Sequence, residues 1–152
     1  MRRVCVLPLL LIAACTSSSG LQNNLIEGGP GQAITVEINA VDNSSALRDP
    51  DKSRQYSIEV EVGNSSDTVV TVTQISITTD GSGAFQVYPT VRRFNELIDP
   101  RKDHLFQIDL RGRLVRPFAP NEAHTVVLRV IVTLSNGDAY AYSFEGPVRE
   151  TD

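Results

Sequence analysis

The chain has 152 residues, of which 41% are hydrophobic and 21% charged. Less an export signal and a tether, that length holds one ordinary domain and not two, and the composition lies far from the charge-rich, apolar-poor profile of disorder. The formal charge of −4 argues against nucleic acid as a partner.

The N-terminus reads Met-Arg-Arg and then an apolar run from Val4 to Ala14, the charged and apolar regions of an export signal. A transmembrane helix needs about 20 apolar residues, so this run is too short to span a bilayer. It ends in Leu11-Ile12-Ala13-Ala14-Cys15 and turns abruptly polar at Thr16-Ser17-Ser18-Ser19-Gly20. Those five residues resemble the lipobox of bacterial lipoproteins: an aliphatic residue, two small residues and a cysteine. The resemblance implies that residues 1–14 are removed, that the Cys15 sulfur carries a diacylglyceryl group, and that its freed amine can be acylated. Each buried methylene adds about 0.8 kcal/mol, so several acyl chains hold a protein at a membrane. Thr16 after the cysteine implies release to the outer membrane where the organism has one, and a place on the cell's outer face where it has not.

Without Arg2 and Arg3, the chain keeps 12 basic residues against 18 acidic ones, a charge of −6. Cys5 lies in the signal and Cys15 carries lipid, so no disulfide is available to the exported domain. Residues 15–32 form the lipidated end and a Ser-, Asn-, Gln- and Gly-rich tether closing on Gly28-Gly29-Pro30-Gly31. Leu25 and Ile26 leave two readings open, docking on the domain or pairing as a small edge strand.

From residue 33 to 148, ahead of a tail over 149–152, period-two alternation dominates. Ile34, Val36, Ile38 and Ala40 alternate with polar residues, as do Tyr56, Ile58, Val60 and Val62. Asn64-Ser65-Ser66-Asp67 reads as a hairpin turn. In Thr68 to Thr78 the apolar phase slips near Thr73-Gln74, as a β-bulge or a strand changing sheets requires. Asp80-Gly81-Ser82-Gly83 turns into a short strand, Ala84 to Tyr88. The stretch from Pro89 to Asp103 reads as a loop, with one helical turn open to Arg92–Ile98. Leu105 to Leu110 is a strand, and Val115 to Glu122, carrying Pro117 and Pro120, is a connection. Val126 to Leu134, the Asn136-Gly137 turn and Tyr140 to Phe144 make a closing hairpin.

About seven strands with short turns predict an all-β, antiparallel two-sheet sandwich. The alternating Tyr56–Val62 strand with Asn64-Ser65-Ser66, and the closing run Pro120-Asn121-Glu122 through Thr125–Leu134 to Tyr140–Phe144, resemble immunoglobulin-like and fibronectin type III-like domains. The chain lacks Trp and a cysteine pair, which excludes the antibody type.

Chemistry is sparse. His104 and His124 are the only histidines, and no Gly-x-Ser-x-Gly elbow accompanies the serines. Two histidines give too few ligands for a zinc site unless carboxylates complete it. Asp49-Pro50-Asp51 and Asp99–Asp103 are oxygen-rich but lack the spacing of a known calcium loop. The sequence therefore implies no catalytic residue, no metal, and no cofactor beyond the lipid on Cys15. It predicts a noncatalytic binding or structural module, whose partner is another envelope protein, peptidoglycan or a surface ligand, with no small-molecule substrate evident. Arg92, Arg93 and Phe94 are the candidate contacts, in the longest irregular segment. The alternative is an inhibitor or accessory subunit of an exported enzyme. Basic residues gather at Arg92, Arg93, Arg101 and Lys102, and again at Arg111, Arg113 and Arg116, leaving room for a local basic patch.

Overall fold

A computed structural model describes residues 24–41 and 53–147. Among these, nine strands and no helix are found: β1 (Asn24–Glu27), β2 (Ile34–Val41), β3 (Arg54–Asn64), β4 (Val70–Thr79), β5 (Phe85–Val87), β6 (Thr90–Ile98), β7 (Lys102–Leu114), β8 (Thr125–Leu134) and β9 (Asp138–Pro147). They form a five-stranded sheet, β1-β9-β8-β4-β6, and a four-stranded sheet, β2-β3-β7-β5. The predicted all-β sandwich is therefore the fold. The order β2-β3-β7-β5 reproduces the A-B-E-D sheet of an immunoglobulin domain, and β9-β8-β4 its G-F-C sheet. The seven predicted strands are those seven. The two added strands, β1 and β6, occupy the opposite edges of the G-F-C sheet.

Alternation builds the core. Along β7, Phe106, Ile108, Leu110 and Leu114 are buried while Gln107, Asp109, Arg111 and Arg113 are exposed, and Val130, Val132 and Leu134 of β8 face the buried row from the other sheet. Each such side chain contributes about 1.5–3 kcal/mol when fully buried. The phase slip is a register shift between Val72 and Gln74 in the pairing with β8, where the extra residue, Thr73, donates its hydroxyl to the carbonyl of Thr133 at 3.1 Å. Here the bulge reading holds and the sheet-crossing one does not.

The β8–β9 hairpin turns through Ser135-Asn136-Gly137, with Gly137 N donating to the Leu134 carbonyl at 3.1 Å. Only Gly137 (φ 92°) has the left-handed conformation; Asn136 does not. The turn is thus a three-residue loop ending in a bulged glycine, rather than one with positive φ at both residues.

One open reading is decided and two expectations change. Leu25 and Ile26 belong to a strand: β1 pairs in parallel with β9, Leu25 opposite Ala139 and Ile26 opposite Tyr140. Among the described residues, sheet structure is therefore present from Asn24, ahead of Ala33. Beyond β1, Gly28 N donates to the Ala141 carbonyl at 2.7 Å, and Glu27 reaches across β9 to Arg129 of β8 at 2.6 Å. A Cβ on Gly28 would run into the Tyr142 ring, whose hydroxyl donates to the Ile34 carbonyl. Burial raises the Tyr142 pKa above its ordinary value of 10.0, so the donor keeps its proton into alkaline solution. Pro89–Asp103, read as a loop, contains β6. Asn64-Ser65-Ser66-Asp67 is no hairpin turn either, because β3 and β4 lie in different sheets.

That crossing is held by one side chain. Asn64 closes β3 with 2% of its surface exposed. Its Nδ2 donates to the carbonyls of Thr68 at 2.8 Å, Ile98 at 3.0 Å and Asp99 at 3.2 Å. Its Oδ1 accepts from the Ser66 amide at 3.0 Å and the Ser66 hydroxyl at 2.7 Å. Ile98 and Asp99 stand at the β6–β7 turn, where Pro100 precedes Arg101 at φ 57°. One amide thus ties the β3–β4 crossing to the β6–β7 crossing. Replacing it with Ala leaves several buried groups without partners, each costing about 1–3 kcal/mol. Asn64→Ala is expected to lower unfolding free energy by about 3 kcal/mol in denaturant titration, whereas Ser65→Ala, at an exposed neighbour, should leave it within about 0.5 kcal/mol.

Candidate functional site

The sequence-predicted contacts divide on the structure. Arg92, Arg93 and Phe94 lie on β6, which among the described residues pairs with β4 alone. Phe94 turns inward, its ring 4.7 Å from that of Phe106 in an edge contact at 62°, and is partly buried against the core. Its inner side packs on the core. Arg92 and Arg93 are exposed, and among the described residues neither side chain makes a hydrogen bond or ion pair. Val91 and Leu97, on the same strand, are 52% and 67% exposed.

β6 escaped the sequence reading because an edge strand buries little. Only Ile98 is buried along it and only Thr90 and Phe94 are half-buried, so the period of two is lost. The bulge disturbs this edge too: Val72 pairs with Glu96 and Gln74 with Arg93, leaving Phe94 and Asn95 opposite Thr73. The remaining strand signal is β-branched Thr90-Val91 at one end and Leu97-Ile98 at the other.

Beside β6 the sandwich is open. β5 covers β7 over three residues, Phe85 opposite Leu114 through Val87 opposite Gly112, and ends where Pro89 has no N–H to continue a ladder. The chain then crosses to the other sheet as β6. The uncovered flank of β7 and the start of β6 bound a cleft of about 670 Å³, lined among others by Gln55, Tyr88, Thr90, Arg92, Asp109 and Arg111. On β6, Arg92 sits opposite Ile75, a core residue, and so shares the sheet's inner face at its open rim. Tyr88 is 42% exposed, and the Arg113 guanidinium stands 5.5 Å from its ring centroid, within cation–π range.

Two arginine groups far apart in sequence therefore meet at one place. Arg92 and Arg111 line the cleft and Arg113 backs its aromatic rim. Two arginines of the same sequence groups are engaged elsewhere. Arg101 pairs with Asp67 at 2.7 Å, and Arg116 forms a two-pronged bond to Glu122, at 2.6 and 2.8 Å.

The histidines pack on aromatics. His104 tilts against Phe106 with centroids 4.6 Å apart, and His124 stacks on Phe118 at 4.1 Å. Neither makes a hydrogen bond to a serine or carboxylate among the described residues. In the same residues no three His, Cys, Asp or Glu side chains gather closely enough to hold a metal. Cys15 with its preceding residues, Asp49-Pro50-Asp51 and the tail lie outside the described residues.

One titration is strongly displaced. The bond from Arg116, aided by the Ala119 amide at 2.7 Å, lowers the Glu122 pKa from 4.5 to about 2. A carboxylate whose pKa falls on folding stabilises the fold above its unfolded pKa, and that contribution disappears as pH falls through the folded value. Glu122→Gln is therefore expected to lower the melting temperature at pH 6, with the gap from the parent closing between pH 4.5 and about 2. A constant gap across that window would assign the loss to another cause.

No protein-family model matches the chain, and no curated protein matches it. Solved structures do. The Northeast Structural Genomics Consortium target SoR45 is 9% identical with a TM-score of 0.50, over 76% of this chain and 87% of that one. A FixG-related protein from Vibrio parahaemolyticus is 11% identical with a TM-score of 0.41, over 78% and 98%. A conjugative transposon lipoprotein from Bacteroides eggerthii is 17% identical with a TM-score of 0.36, over 74% and 95%. At these identities the likeness concerns the fold alone, and of the three only the first is close enough to carry that. Strand order, register and core define the chain as an immunoglobulin-like β-sandwich.

Proposed function

We propose that this chain is a lipid-anchored component of a bacterial cell envelope, held through Cys15, whose sandwich binds a partner and catalyses no reaction. Its place is the outer membrane where the organism has one. The lipobox-like Leu11-Ile12-Ala13-Ala14-Cys15 supports the anchor, and the sandwich fits a binding module.

The observation that carries the binding reading is β6: nine residues long, paired on one side only among the described residues, and exposed through most of its length. The unpaired side of such a strand offers a row of backbone donors and acceptors to an extended segment. The partner is an extended segment of another envelope protein, added to the sheet beside β6. Arg92 and Arg93 flank that seam, and Val91 and Leu97 provide apolar contact.

The anchor is tested by metabolic labelling with palmitate. The parent is expected to take up label and partition with membranes, and Cys15→Ser to do neither. Label retained in the variant would overturn the assignment. The docking surface is tested in the producing cells by placing a photocrosslinking residue at Val91, Asn95 or Leu97, and for comparison at Gln107 on the exposed face of β7. A discrete protein adduct from the β6 positions and none from Gln107 is the expected result. No β6 adduct, or equal adducts from Gln107, would overturn the reading.

A further inference from the structure

We propose that the cleft between β6 and β7 binds an anionic saccharide: a sugar unit bearing a carboxylate or phosphate, within or at the end of a glycan. The inference does not rest on the strand-docking reading.

Charge comes first. The chain has 18 acidic residues against 14 basic ones, so carboxylates to neutralise an arginine are abundant. Arg101, Arg116 and Arg129 each take one. Among the described residues Arg92 and Arg111, in contrast, line the cleft without a carboxylate partner, and Asp109 is the only acidic residue of the lining. A planar guanidinium offers a fork of donors matched to carboxylate and phosphate oxygens. Two unpaired forks in one lining make a seat for an anion.

The rest of the lining selects the body of the ligand. Ser53, Gln55, Thr90 and Asp109 supply donors and acceptors suited to hydroxyl groups, and the aliphatic residues, Val91 and Leu110, form no apolar pocket that would take a peptide side chain. Tyr88 and Pro89 stand in the same lining, and Tyr88 presents an apolar ring with a polar tip, suited to the flat C–H face of a pyranose. Arg113 against that ring fixes its orientation. The cleft lies open to solvent along the rim of the sandwich, so a long polymer can pass through without threading.

The test is isothermal titration calorimetry on the full chain purified in detergent, with trigalacturonate, glucose 6-phosphate, maltotriose and citrate as probes. Saturable binding of trigalacturonate identifies a carboxylated sugar, and of glucose 6-phosphate a phosphorylated one. Maltotriose and citrate are expected to bind at least tenfold more weakly than the preferred probe. Arg92→Ala and Arg111→Ala should each weaken binding about tenfold, the loss of one charge-assisted contact. Tyr88→Ala should weaken it too, and Arg101→Ala should not. Arg92 and Arg111 are exposed, so an unchanged melting temperature in both variants separates lost binding from lost fold. The proposal is overturned if neither anionic sugar binds saturably, if maltotriose or citrate binds as tightly, or if the Arg92 and Arg111 variants keep full affinity. A failure here leaves the β6 adducts untouched, and their absence leaves sugar binding intact.

Discussion

The sandwich depends on one buried amide. Apolar faces drive two sheets together, but that attraction has no direction and does not specify where the chain crosses between them. Two crossings, β3 to β4 and β6 to β7, meet at the same end of the molecule, and the Asn64 side chain bonds to the backbone of both. Its donors and acceptor are aimed, so they fix the position of the two turns relative to the core. A hydrophobic residue of similar size would fill the space without setting that geometry.

From that end, the two borders of the five-stranded sheet develop differently. On one side β1 closes against β9 and is tied to β8 by Glu27 and Arg129. On the other, β6 stays uncovered, and short β5 leaves part of β7 uncovered beside it. Charged residues on an exposed strand also discourage unwanted sheet-to-sheet association. Arg92 and Arg93 serve in that way whatever they bind, and the rim that most needs protection is also the one bearing free positive charge.

The sequence displays those parts of the fold that the core enforces. Strands β2, β3, β7, β8 and β9 each show alternation because one face is buried, and the Val72–Gln74 irregularity is visible as a slipped phase. β1 and β6 are not legible in that way. At the borders of a sheet, backbone pairing holds the strand while side chains stay wet, so no periodicity marks them. Asn64 was misread for a related reason: Asn-Ser-Ser is turn chemistry locally, and only the three-dimensional crossing brings Ile98 and Asp99 within reach of the amide. The cleft was half visible. Its arginines stand out as two groups in sequence, but that Arg92 and Arg111 share one cavity while Arg101 and Arg116 are neutralised elsewhere is a property of strand order. Phe94 shows the converse: exposed by its neighbourhood in sequence, it is turned inward by the register of β6 against β4.

The parallel pairing of β1 with β9 bears on how the domain carries load. A pull at residue 24 along the strand axis acts at right angles to the hydrogen bonds joining Asn24–Glu27 to Asp138–Ala141. These bonds are then strained together, in shear, where an antiparallel hairpin pulled at its ends opens one bond at a time. The Glu27–Arg129 ion pair and the Gly28–Ala141 bond lie at the far end of the same seam. Force arriving from the N-terminal side thus meets a clasp before it reaches the core.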